Sequence, residues 1–185
     1  MSGAGGEATA GRGTVGGDSA EAADAAGPPR AASAQRVQAA LDALGLVDSR
    51  VRELPDSART AQQAADGLGV AVGQIAKSLV FRAARSGRAV LVVAAGDRRV
   101  SERKVEALLG EPIERADPAF VREATGYAIG GIPPLAHATE LVRFVDESLA
   151  RFDIVWAAGG TPHAVFPIGP AAFFAAVGGV AGDVT

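Results

Sequence analysis

The chain has 185 residues, of which 48% are apolar and 5% aromatic, with a formal net charge of −3 and no cysteine. That length suits one domain plus a tail, and the slightly acidic balance gives no global pull toward nucleic acid, so any RNA contact has to be local. Thiol catalysis, disulfides and cysteine zinc sites are excluded, and two histidines are too few for a histidine-rich metal centre.

Residues 1–33 are mostly Gly, Ala, Ser, Thr and acidic residues, with no bulky apolar periodicity. Such a stretch cannot bury enough surface to offset its backbone entropy, so a disordered tail is expected, followed by one folded domain over 34–185. No apolar run reaches the roughly 18 residues that span a bilayer, and the start lacks the basic-then-apolar layout of a signal peptide. The expectation is a cytoplasmic protein without membrane contact.

Val37, Ala40, Leu41 and Leu44 repeat at helical spacing, with Gly45 as the stop. Thr60 and Gln63 have the spacing of a capping box for a short helix ending near Leu68. The run from Ile75 to Arg82 reads as a strand, "SGR" (86–88) as a turn, and "AVLVVAA" (89–95) as a strand buried on both faces. "GDRRV" is a loop, "SERKVEALLG" (101–110) a helix, and "DPAFVREATG" (117–126) a helix with Asp117 as N-cap, Pro118 at its first position and Gly126 at its end. A Gly- and Pro-dense loop covers 127–137. "ELVRFVDESL" (140–149) reads as a strand running into a turn or short helix. Strands over 153–160 and 164–169 and a helix over 170–179 close the chain. Hairpins mixed with intervening helices favour an α+β domain over a regular doubly wound one.

Lys77 lies inside the first strand. By strand parity it shares a face with Ile75, Leu79 and Phe81. It either reaches water from the strand mouth or faces a pocket that receives an anionic or carbonyl-bearing group. "GGIPP", Gly130 to Pro134, is either an ordinary tight turn or a rigid loop whose Gly130 and Gly131 amides are free to donate. His137 and His163 each follow a Pro-containing loop and read as structural residues or as site members. Asp97 sits at a strand-to-loop edge. Arg98, Arg99, Arg103 and Lys104 are either a solvated helix start or an RNA-phosphate contact. Ser78 and Lys77 point to opposite faces, which argues against a nucleophile–base pair. No Walker loop, dinucleotide fingerprint or metal-spaced carboxylate set occurs.

Taken in order, "QIAKSLVF", "VLVVAAGDRRVSERKVEALLG", "ATGYAIGGIPP" and "FVDESL…FDIVWAAGG" resemble the YbaK/ProX family, the free-standing relatives of the editing domain inserted in bacterial prolyl-tRNA synthetases. The resemblance spans nearly all of 35–180. It implies an α+β fold: a mixed, mostly antiparallel central sheet or partly closed barrel flanked by helices. It implies hydrolysis of the ester between a wrong, small amino acid and a tRNA such as tRNA-Pro, with no metal and no cofactor. The family's lysine maps onto Lys77 as the catalytic residue, and its Gly-x-x-x-Pro loop onto Gly130, Gly131, Ile132, Pro133 and Pro134 as substrate-binding residues; Asp97 and His137 join them as candidate contacts. The implied partners are the 3′ end of an aminoacyl-tRNA and an aminoacyl-tRNA synthetase. One departure stands out: Ala136 occupies a position where many relatives carry glycine. The competing readings are a non-catalytic module that holds a small ligand or a tRNA 3′ end in the same pocket, and an interaction protein that assembles through its Ala-rich surface and its tail.

Overall fold

The computed structural model describes residues 31–185, apart from residues 57 and 59. Most of the expected tail therefore lies outside the described residues. The first helix, α1 (Ala32–Ala43), begins two residues before the expected start of the domain.

The Val-rich run forms β3 (Ala89–Ala95), and all seven of its residues are buried. Strand alternation sends Leu91, Val93 and Ala95 into one apolar cluster and Val90 and Val92 into another, so both faces of the sheet are covered. The first cluster takes Val37 and Leu41 of α1, Val121 of α4 (Pro118–Thr125) and Phe173 of α5 (Pro170–Val177). The second takes Val105 of α3 (Glu102–Leu109). The smaller α2 (Ala61–Leu68) packs Ala64 and Ala65 on Ile75 in a third cluster.

The sheet has eight strands. Beside β3 they are β1 (Arg52–Glu53), β2 (Ile75–Ala83), β4 (Ile113–Arg115), β5 (Val142–Asp146), β6 (Val155–Ala158), β7 (Ala164–Ile168) and β8 (Val180–Gly182). The pairing path is β1-β7-β6-β2-β3-β5-β8, with β4 also on β2, and it does not close on itself. The β1–β7, β6–β7, β2–β3 and β2–β4 pairs are antiparallel; β2–β6, β3–β5 and β5–β8 are parallel. This is the mixed α+β architecture expected. β4 and β8 are additions: at three residues each, they are too short for alternation to register in sequence.

Local chemistry sets the element ends. Thr60 and Gln63 form the full capping box at α2: the Thr60 hydroxyl accepts from the Gln63 amide and the Gln63 side chain accepts from the Thr60 amide, both at 3.2 Å. Asp117 accepts from the Phe120 amide at 2.9 Å, with Pro118 next in line. The hairpin between β2 and β3 is held from outside by Glu111, whose carboxylate accepts from the Arg85 and Ser86 amides and the Ser86 hydroxyl. No helix among the described residues is long and apolar enough to cross a membrane.

One feature of the sheet positions the site. β2 has β3 along one edge. Its other edge is shared: β6 pairs with Ile75 and Ala76, and β4 with Phe81 to Ala83. Among the described residues, residues 77–80 between them have no strand neighbour on that side. The sheet splits there, beginning at the lysine.

Candidate functional site

The split opens a cavity of about 240 Å³. Lys77 and Ser78 form one wall, Ala157 and Ala158 of β6 another, and Ala61 and Ala64 of α2 a third. The loop between α4 and β5 closes the remaining side with Ile129, Gly130 and Ile132, and Thr161 and Pro162 come from the β6–β7 connection. Small side chains leave the interior open, and the wall is apolar apart from a few polar groups, the usual make-up of a small-molecule site. The Ser78 hydroxyl is buried and has no partner among the described residues.

Lys77 is half-buried, and strand parity holds around it: Ala76 and Val80 belong to the α1-side cluster, Leu79 and Phe81 to the α3-side cluster. Its ammonium donates to Gly96 O at 3.5 Å and to Arg98 O, both in the loop that leaves β3. Burial lowers its pKa, while the carboxylates of Asp97 and Asp146 act in the opposite sense. An ammonium has three N–H donors. Two are taken by these carbonyls, which leaves one without a partner among the described residues.

The Gly-Pro loop divides into two layers. Gly130 (φ +97°) is exposed and, with Ile129 and Ile132, lines the cavity; its amide donates to no group among the described residues. Gly131, Pro133 and Pro134 are buried behind this rim and are not part of the lining. Gly131 departs from expectation: its amide is not free but donates to Ala128 O at 3.2 Å. Its role is close approach, because a Cβ there would lie 2.6 Å from the Thr161 carbonyl carbon. The loop is thereby pressed onto the β6–β7 connection.

His137 also stands outside the lining. Its Nε2 bonds to Pro133 O at 2.8 Å, its ring packs edge-on to Tyr127, and the Tyr127 hydroxyl donates to Ala136 O at 3.0 Å. Burial pushes its pKa down to about 4, so it is neutral at pH 7 and braces the loop from behind. Ala136 has φ +62°, a left-handed conformation that favours glycine, so the alanine holds a backbone shape suited to the glycine of the resembling family. His163 is exposed, and its neighbours Thr161 and Pro162, not its ring, reach the cavity.

Asp97 likewise lies apart from the cavity lining. Both its oxygens accept from Arg151, at 2.7 and 2.5 Å. Of the basic cluster, Lys104 donates to Asp183 at 2.6 Å and to Thr185 O, while Arg98, Arg99 and Arg103 are exposed. Among the described residues, no group of three His, Cys, Asp or Glu side chains stands close enough to hold a metal ion.

Sequence reasoning missed Asp146, Arg151, Ile129 and the Thr161–Pro162 wall. Two signals were available. Asp146 directly follows the apolar pair Phe144 and Val145 at the end of β5, a place where a carboxylate is as unexpected as Lys77 is in β2. "GGTPH" repeats the Gly-Gly and Pro chemistry of the first loop.

The profile of the aminoacyl-tRNA editing domain matches residues 55–175, the segment that carries every wall of the cavity. A solved structure described as a candidate trans-editing enzyme for prolyl-tRNA synthetase superposes with a TM-score of 0.79 at 44% identity, covering 85% of this chain and 99% of that one. The uncharacterized protein YwhH of Bacillus subtilis (strain 168) is 37% identical over 125 residues, 66% of this chain and 78% of its own. The proline–tRNA ligase of Thermoanaerobacter sp. (strain X514) is 30% identical over 96 residues, half of this chain but only 16% of that much longer enzyme. With the profile covering residues 55–175, well over half of the chain, this chain belongs to the aminoacyl-tRNA editing domain family.

Proposed function

We propose that the protein is a trans-acting deacylase that hydrolyses the ester of a small amino acid wrongly attached to a tRNA, with tRNA-Pro as the first candidate. The observation that carries this reading is the convergence of Lys77 and Gly130, more than fifty positions apart, on the wall of one cavity in a chain of the editing family.

In this reading the aminoacyl group enters the cavity with its side chain toward the small apolar residues of α2 and β6. Lys77 uses its remaining N–H to bind the ester region and to counter the charge that develops on the carbonyl oxygen. The Gly130 amide donates to the aminoacyl group from the opposite wall. The attacking water needs no side-chain nucleophile from this chain, and the terminal ribose hydroxyl of the tRNA assists it. The reaction as proposed draws on no metal. Rejection of larger side chains is steric, since one methylene in an apolar pocket is worth only about 1–3 kcal/mol. The Gly131 contact to Thr161 and the His137 brace keep the rim from yielding.

The test is a panel of tRNAs, tRNA-Pro among them, each charged with alanine, cysteine, serine or the cognate amino acid, with loss of the amino acid followed over time. Turnover of at least one mischarged species and sparing of the cognate supports the proposal. Saturable protection of the ester without turnover supports a binding module instead, and no effect on any species removes both.

A further inference from the structure

Lys77 donates to two carbonyls, so its position is set by whatever fixes those carbonyls. The loop that carries them leaves β3 at Ala95, and it is gripped twice from one turn that lies fifty residues downstream. At the near end, the Ala95 amide donates to Asp146 Oδ2 at 3.1 Å. At the far end, Asp97 takes both bonds from Arg151. Asp146 and Arg151 bracket a single 3₁₀ turn, Glu147–Arg151, and Asp146 Oδ1 caps that turn by accepting from the Ser148 amide at 2.9 Å.

The packing is tight at each grip. A Cβ at Gly96 would lie 2.2 Å from Val72 O, so the loop rests against the turn that leads into β2. A Cβ at Gly73 would lie 2.6 Å from Arg151 Nη2 and 2.8 Å from Asp97 Oδ2, so the ion pair lies on the backbone of that same turn. The Arg151 guanidinium also sits 4.5 Å from the centre of the Phe152 ring. Asp146 is 1% exposed, and no cation pairs with it directly among the described residues. Its two oxygens accept from the Ala95 and Ser148 amides, and its charge favours the protonated form of Lys77.

We propose that Asp146 and Arg151 are positioning residues that hold the Lys77 ammonium at the cavity wall. Asp146 anchors the start of the carbonyl loop. Arg151 occupies Asp97, which would otherwise be an unpaired carboxylate next to Lys77 and would draw the ammonium out of the cavity into an ion pair. Asp97 is thus a partner of Lys77 through its backbone neighbours and a competitor through its side chain, and Arg151 decides between the two.

The activity arm of the test rests on the deacylase reading; the labelling arm does not. Wild type, Arg151→Ala, and Arg151→Ala combined with Asp97→Asn are treated with an acetylating reagent at fixed pH, and modification of Lys77 is quantified by mass spectrometry. The charged groups facing Lys77 are Asp97 and Asp146, with Arg151 beyond Asp97, so removal of Arg151 leaves two carboxylates to hold the proton. Arg151→Ala is expected to slow Lys77 labelling by about tenfold, and Asp97→Asn in that background to restore it to within about twofold of wild type. Deacylation should follow the same order, with kcat lower by roughly 10- to 100-fold in Arg151→Ala and KM nearly unchanged, as befits misplacement of one group. A merely structural ion pair predicts the reverse for the double variant, which then labels no faster than Arg151→Ala. Unchanged labelling in Arg151→Ala, with an unchanged unfolding midpoint, overturns the proposal. If labelling follows the expected order while wild type deacylates no tRNA, the positioning role stands and the deacylase reading falls.

Discussion

Lys77→Ala separates catalysis from folding most sharply. The substitution removes two hydrogen bonds, to Gly96 O and Arg98 O, and one half-buried positive charge. Each bond contributes about 0.5–1.5 kcal/mol net to stability. Both acceptors sit in a loop whose Asp97, Arg98 and Arg99 are exposed, so water can replace the lost donor. Removing an ammonium that burial already disfavours offsets part of what remains. The expected change in unfolding free energy is therefore under about 1 kcal/mol, set by this partial cancellation. Catalysis has no such compensation. Loss of a preorganised donor at a developing oxyanion costs a factor of about 100 to 1,000 in rate, or roughly 2.7–4 kcal/mol. Single-turnover deacylation of the species found active in the panel, together with urea denaturation of the same preparation, measures both quantities. A variant that keeps more than a tenth of the wild-type rate refutes the role of Lys77, and one that unfolds in buffer refutes the estimate of its structural weight.

Ala136→Gly relieves the left-handed backbone at φ +62° and should raise stability by up to about 1 kcal/mol, visible as a higher urea midpoint; a lower midpoint would show that the Ala136 methyl packs usefully. His137 is held neutral with a pKa near 4, so the unfolded chain binds the extra proton first and stability falls as pH drops from about 6.5 toward 4. That loss is on the order of 2–3 kcal/mol and should vanish in His137→Phe, as denaturation at pH 7 and pH 4.5 will show. Glu111 is pulled down to about 2, chiefly by the Ser86 hydroxyl, so its contribution is full above the ordinary carboxylate range and is lost only as pH falls toward 2. Glu111→Gln should therefore lower the unfolding midpoint at pH 7 and narrow its gap to wild type near pH 2; a gap independent of pH would contradict this.

Much of the protein is written locally. The Thr60–Gln63 box, the Asp117–Pro118 start, the Val-rich β3 and the parity of β2 follow from interactions within a few residues of each other, so the sequence alone announces them. It also marked Lys77 as a charge in an apolar strand and the Gly-Pro segment as a stiff bend. Their meeting was a different matter. It depends on β6 and β4 sharing one edge of β2 and leaving residues 77–80 without a strand partner on that edge among the described residues, a consequence of long-range pairing that no local pattern encodes. The same holds for the layers of the loop. Gly130 and Gly131 are chemically identical in sequence, yet one faces the cavity and the other bonds to Ala128 O, because only packing against Thr161 distinguishes them. Asp97 looked like a site residue for its place at a strand end, but Arg151, fifty-four positions away, takes its carboxylate. Local free energies chose the elements, and the tertiary contacts chose which of their polar groups remain available for chemistry.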